Sequence, residues 1–341
     1  MKTIGSTIIM LALASSLFAD NGKELKLASP DGTHEIVFYQ KQVSPAVNEL
    51  CYRVDYKSQP VVNESRAGLE LDNRIWEMAL GVRNLKQPAC WMDNLEVDSV
   101  TYQPETNLTW QPLYGERSSV RDHYRAGTLC LSKKDNSGYR LNIEVRAYNE
   151  GVAFRYFFPE HPKAIFHKVV GDLTEYALPA GTKAWTEQWA QAFFERLNID
   201  DIKHPVERAL TFELPNGKWA ALADADVDDW CLTKYLVSTD KKNTLTSVMY
   251  SPVDVVTYYA TPWKIVMAAD KPGELLEHND IIQNLNPPCE IADAAAWVKP
   301  GKIMRNDYHH RRGYCYHRLL CSTSYSVYAF RLAMVYALYF T

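Results

Sequence analysis

The residues of this chain that could do chemistry gather in four places. In KAWTEQWAQAFFERLNIDDI, residues 183–202, Glu187 and Glu195 flank Trp185 and Trp189. Sugar sites use this combination: flat rings stack on the apolar face of a pyranose, and carboxylates bind its hydroxyls or a metal. Trp185, Trp189, Phe193 and Leu197 recur every four residues, which predicts a short amphipathic helix or an ordered loop. On a helix, eight residues separate the two glutamates by about 12 Å. A glycosidic acid/base couple needs roughly 5 to 10 Å, so this pair alone is a poor hydrolytic couple, and spacing alone reads both as solvated helix faces.

The other three places carry weaker signals. Asp224, Asp226, Asp228 and Asp229 in ADADVDDW resemble a calcium loop at first sight. An EF-hand needs Gly at its sixth position and Glu at its twelfth, and counting from Asp224 those are Asp229 and Tyr235; the expectation is a solvated turn. TWQPLYGERSSVRDHY concentrates Trp110, Gly115, Glu116, Arg121, Asp122 and Tyr124, and is read as a long loop pinned by Arg–carboxylate pairs. His309, His310, Cys315, His317 and Cys321 follow none of the usual metal-ligand spacings. The chain has no GxSxG, HExxH or phosphate loop, and no residue is assigned a catalytic role.

The elements that must position these residues read as β-strands. ELKLASPDGTHEIVFYQ places Asp31-Gly32 between two alternating runs, and the pattern returns around Asn136-Ser137-Gly138, Asn149-Glu150-Gly151 and Asn216-Gly217. Leu141, Ile143 and Val145 alternate with Asn142, Glu144 and Arg146, so one face lies in a core and the other toward solvent. Helical signals are few: PGELLEHNDIIQNL has Pro272 at a helix start, Leu275, Leu276 and Ile282 at helical spacing, and Pro287-Pro288 beyond it. The fold class expected is all-β, a large sandwich of antiparallel strands over residues 20–290 with few short helices.

Composition narrows the function. The 341 residues carry a net charge of -4, which gives no electrostatic footprint for nucleic acid or an anionic membrane. Residues 1–19, with Lys2, the apolar run Ile8–Leu13 and Ala19, read as a secretion signal, and no membrane anchor is expected; the mature chain is placed in the periplasm. Seven cysteines at wide spacing, without CxxC, read mostly as buried thiols in strands. From Asn306 to Thr341 the composition changes, with Asp307 the one acidic residue and no lysine, which reads as an aberrant tail, the product of a frameshift or gene-model error, or else a genuine appendage.

Together the segments SPDG (Ser29–Gly32), YGERSSVRDHY, YNEGVAFRYFFPE, TEYALPAGTKAW, TPWKIVMAADKPGELLEHNDIIQNLNPP and WVKPGKIMR resemble glycoside hydrolase family 97 over nearly all of residues 22–305. The resemblance implies an N-terminal β-super-sandwich of the galactose-mutarotase kind, then a (β/α)8 barrel and a C-terminal β-domain. It implies that the catalytic carboxylates and most calcium-binding glutamates belong to the barrel, with residues 291–305 the lead-in to it. The sandwich would add one glutamate to that calcium after the LPAGTKAW strand: Glu195, or Glu187 if the register is shifted. The whole enzyme would hydrolyse an α-glucan or α-galactoside, and this chain, truncated before its barrel, would be inactive, with the missing barrel its natural packing partner. The alternatives are a free-standing carbohydrate-binding sandwich and, by fold analogy, a sugar mutarotase using one of His34, His123, His161, His167, His204 or His278 with a carboxylate.

Overall fold

The computed structural model describes residues 23–72, 93–113, 115–134, 138–161 and 166–297. The chain divides into two compact units, Met1–Leu108 with Arg121–Pro287, and Thr109–Val120 with Pro288–Thr341. In the second, the described helix is Ala294–Trp297. The tail from Asn306 and the signal segment lie outside the described residues.

The turn chemistry works as its residue types require. β1 (Glu24–Ala28) and β2 (His34–Ser44) are joined where Gly32 takes φ +75°, a conformation glycine adopts without steric cost. There Asp31 Oδ1 accepts hydrogen bonds from Ser29 Oγ at 2.6 Å, Thr33 N at 3.0 Å and Thr33 Oγ1 at 2.8 Å, an Asx-type turn. β3 (Val47–Tyr56) and β4 (Gln59–Arg66) complete an antiparallel four-stranded sheet. Two three-stranded sheets follow: β18 (Val253–Val256), β10 (Phe166–Asp172) and β5 (Leu69–Leu71); and β11 (Glu175–Ala177), β17 (Thr244–Met249) and β16 (Thr233–Val237).

The largest sheet has ten strands. Its order is β13 (Glu195–Asn198), β12 (Lys183–Thr186), β14 (Leu210–Glu213), β15 (Trp219–Ala225), β20 (Trp263–Ala269), β9 (Gly151–Phe158), β8 (Arg140–Tyr148), β7 (Val120–Ser132) and β6 (Glu96–Trp110), with β19 (Tyr259–Ala260) also pairing β9. Period-two alternation sends Leu141, Ile143, Val145 and Ala147 of β8, and Val152, Phe154, Tyr156 and Phe158 of β9, to one face. They bury against Phe38 and Tyr52 of the four-stranded sheet, with Phe38 edge-on to Phe154 at 5.1 Å between centroids. Each such ring contributes about 1.5–3 kcal/mol by burial. The expected all-β sandwich is the fold found.

The opposite, outer face of the ten-stranded sheet is covered in part by α1 (Pro272–Glu277) and α2 (Asp280–Leu285). Ile281 and Leu285 pack on Ala221, Ala223, Ile265 and Met267, so β20 is buried on both faces and loses its alternation. The single helix read from PGELLEHNDIIQNL is therefore two helices, broken at His278-Asn279. Leu276, counted in its apolar face, is exposed, and Ile281 takes that role.

Charge also enters the sandwich. Lys264 points inward from β20, where its ammonium group pairs with Asp172, itself bonded to Thr174 Oγ1 at 2.6 Å. Beside them Asp224 accepts from Arg208 Nη1 at 2.8 Å and Thr233 Oγ1 at 2.9 Å. The aspartates of ADADVDDW are thus not one solvated turn: Asp224 faces the core and Asp226 pairs with Arg155 at 3.1 Å, while Asp228 and Asp229 are exposed.

Candidate functional site

Residues 183–198 form a β-hairpin, followed by a 3-10 turn at Ile199–Asp201; of the amphipathic helix or ordered loop expected from the four-residue spacing, the loop is found, between two strands. β12 and β13 pair antiparallel, with Ala184 opposite Leu197 and Trp185 opposite Arg196. The spacing misled because the ring period of four also fits a strand, a loop and a second strand whose inward residues are Ala184 and Leu197. Ala184 is fully buried, and the hairpin is held to the sheet by β14, opposite Glu213, Phe212 and Thr211. Arg196 Nε donates to Glu213 Oε2 at 2.8 Å.

The loop of this hairpin, residues 187–194, is anchored at its start and bare at its tip. Glu187 O accepts from Glu207 N at 2.9 Å, and Gln188 O accepts from Lys234 Nζ at 2.7 Å, which in turn pairs with Glu207 at 2.8 Å. Trp189 is 57 % exposed, Phe193 92 % and Phe194 67 %. Single exposed hydrophobics are ordinary, but adjacent large ones on a sheet edge mark a surface made for contact.

Glu195 opens β13 beside this tip, and Glu187 follows the end of β12. Glu195 is exposed and pairs in register with Thr186. Strand alternation puts Glu195 and Trp185 on opposite faces of the sheet, so the glutamate does not flank the indole as a helix would have arranged. Among the described residues no group of three or more His, Cys, Asp or Glu side chains could hold a metal ion. Calcium takes six to eight oxygens, so these residues do not by themselves fit one, and Glu195 can serve at most as a single donor to a site completed by others.

The YGERSSVRDHY segment is tied down at its C-terminal end by Arg121. Arg121 Nε donates to Asn107 Oδ1 at 2.9 Å, and Arg121 O accepts from Asn284 Nδ2 at 2.9 Å. Burial pushes the Asp122 carboxyl up, against the pull of Arg146 and a hydrogen bond from Tyr148. His123 Nε2 lies 2.7 Å from Glu105, whose other oxygen accepts from Arg125 Nε at 3.0 Å. His123 and Arg125 together hold Glu105 below the usual carboxylate range. Glu105 is thus engaged by both His123 and Arg125, unlike the free base of a mutarotase. Of the cysteines, Cys51 is buried, Cys130 and Cys231 half-buried and Cys289 exposed, all four free thiols.

Sequence reasoning missed the polar floor on the outer face of the ten-stranded sheet. Glu144 and Arg155 are cross-strand partners, paired at 2.7 Å. The Arg155 guanidinium sits 4.3 Å from the Trp263 ring, and Arg146 lies 4.9 Å from the same ring and 4.6 Å from Tyr124. The signal was present: two outward arginines in adjacent strands next to an inward hydrophobic run.

The fold and this site define a β-super-sandwich with an apolar hairpin on one sheet edge. Residues 27–288 match the family model described as the N-terminal domain of glycosyl hydrolase 97. The chain belongs to that family. It is 23 % identical over 338 residues to a retaining alpha-galactosidase of Bacteroides thetaiotaomicron, covering 87 % of this chain and 46 % of that protein. It is 22 % identical over 209 residues to a probable retaining alpha-galactosidase of Streptomyces bingchenggensis, covering 55 % and 31 %. Among solved structures it resembles a glycoside hydrolase family 97 enzyme from Pseudoalteromonas sp. strain K8 in complex with panose. The TM-score is 0.70 at 24 % identity, over 82 % of this chain and 40 % of that one. The chain spans less than half the length of these relatives. No described helix is long and apolar enough to cross a membrane.

Proposed function

We propose that the sandwich serves as the N-terminal domain of a periplasmic α-glycosidase acting on α-galactosides or α-glucosides, and that the described residues hold none of its hydrolytic groups. The observation that carries this reading is the family match over 27–288 in a chain that covers 46 % of its galactosidase relative. The reaction then falls to a (β/α)8 barrel, and the apolar hairpin tip of Trp189, Phe193 and Phe194 is a surface for packing against it. Glu195 contributes one oxygen donor to a calcium site whose other ligands lie on the barrel; calcium there would polarise substrate or leaving-group oxygens.

Two measurements test this reading. Pure chain is assayed with aryl α-galactoside and aryl α-glucoside against a mock purification. The expected result is no hydrolysis, and turnover above the mock would overturn the assignment. Genomic DNA across codon 305 is then read in all three frames; strand–helix repeats with carboxylates at strand ends are expected in one of them. A second reading, a carbohydrate-binding sandwich without chemistry, draws on the exposed Trp185 and Trp189. Saturable binding of maltooligosaccharides by the chain would favour it.

A further inference from the structure

The outer face of the ten-stranded sheet carries a second feature, away from the hairpin. Where α1 and α2 leave the sheet uncovered, a cavity of about 210 Å³ opens over β6–β9 and β20, walled by Tyr124, Ala126, Glu144, Arg146, Arg155 and Trp263. It has room for several waters or a small ligand. The register explains the space: Arg146 lies between Ala126 on β7 and Ala153 on β9, so both cross-strand neighbours of a long side chain are small.

The two arginines in this cavity differ in what holds them. Arg155 is neutralised twice, by Glu144 at 2.7 Å and Asp226 at 3.1 Å. Arg146 has its faces occupied, by Tyr124 at 4.6 Å and Trp263 at 4.9 Å, but its edge is nearly unused. Its one hydrogen bond is a 3.5 Å contact with Tyr148 Oη, and among the described residues no carboxylate stands within ion-pair distance of it. Asp122 acts on it through space and through Tyr148, which hydrogen-bonds the Asp122 carboxyl, while Asp122 Oδ1 is buried without a hydrogen-bond partner. Trp263 is buried and serves as a pedestal that aims the guanidinium rather than as a ring for a sugar to stack on. None of the Arg146 nitrogens is both buried and unpaired, so the fork is open to a ligand, and a planar guanidinium held by aromatic faces presents two parallel N–H donors that match a carboxylate.

We infer that this cavity is a carboxylate-binding site in which Arg146 takes the ligand's carboxylate edge-on. The carboxylate comes either from an acidic sugar of the uronate type or from an acidic side chain of another protein segment. The inference rests on this cavity alone and not on the function proposed for the chain.

The test titrates the purified chain at fixed ionic strength with glucuronate, acetate and glucose by calorimetry. Saturable glucuronate binding at least tenfold tighter than glucose is expected. Arg146→Lys keeps the charge but loses the fork, and Ala126→Leu fills the space beside Arg146 from its cross-strand neighbour; each is expected to weaken glucuronate at least tenfold. Glucuronate tighter than acetate points to an acidic sugar, and equal binding to an acidic side chain. Absence of saturable carboxylate binding, glucose binding as tightly as glucuronate, or wild-type affinity in a folded Arg146→Lys variant would overturn the inference.

Discussion

Thr186 and Glu195 face each other across β12 and β13, and the threonine Oγ1 donates to the glutamate carbonyl at 3.2 Å. This bond closes the mouth of the hairpin, so the eight residues between them must loop out past the sheet edge. Thr186 is buried while Glu195 is exposed. The result is an exposed glutamate at a fixed strand end, next to exposed rings.

Those rings should make the chain sticky. Phe193 and Phe194 bury too little for their removal to matter to folding, so Phe193→Ser with Phe194→Ser is expected to change stability by no more than about 0.5 kcal/mol. Self-association should fall. Sedimentation velocity of wild type and double variant over a concentration series checks it; equal association constants would show that the tip is not the contact surface.

Calcium should bind this chain weakly, because Glu195 supplies one oxygen where six or more are needed. Millimolar calcium is expected to shift the thermal midpoint by less than about 1 °C, since a ligand stabilises only in proportion to its occupancy. Glu195→Gln should reduce even that small shift. Tight binding in calorimetry, lost in Glu195→Gln, would mean that the domain builds a complete site on its own.

The turns and the core were legible in the sequence, whereas Glu195 was singled out only by resemblance. Asp31-Gly32, Asn149-Glu150 and Asn216-Gly217 sit at the β1–β2, β8–β9 and β14–β15 turns because short-range backbone chemistry decides such turns. Segment 183–202 misled because four-residue spacing of rings is shared by helices and by hairpins with long loops; the deciding partner, β14, lies more than ten residues downstream. Asp224 was read as solvated because nothing local reveals that Arg208 and Thr233 converge on it. Arg146 and Trp263 are likewise more than a hundred residues apart, beyond any local pattern.

The buried pair of Lys264 and Asp172 should be the most sensitive charge in the core. Lys264 is buried, and Asp172 and Asp224 hold its pKa above the usual lysine value against the effect of desolvation. Asp172→Asn leaves a buried ammonium without its partner, which costs about 3–5 kcal/mol. Replacing both partners, Lys264→Met with Asp172→Leu, should cost less than that single change, because no charge is then stranded. Urea unfolding of wild type and the two variants checks the order; a double variant no more stable than Asp172→Asn would show that the two do not act as a pair.

Acid should weaken the fold well before its carboxylates titrate. His34 is buried, with Nε2–H donating to Ala268 O at 3.2 Å and Thr33 Oγ1 3.1 Å from Nδ1, and desolvation lowers its pKa to about 4. His167, buried beside His161, is also lowered to about 4, chiefly by desolvation. The unfolded chain takes up these protons near pH 6.5, while the folded chain refuses them until about pH 4. Stability from each histidine is therefore complete above about pH 7, falls as the pH drops toward 4, and is lost below both values. Each contributes a loss of about 2 kcal/mol between pH 7.5 and pH 5. Urea midpoints at pH 7.5, 6 and 5 should fall steadily, and His34→Gln, less stable at pH 7.5, should show about half the wild-type decline. A decline unchanged in His34→Gln would mean that this imidazole is already protonated in the folded protein.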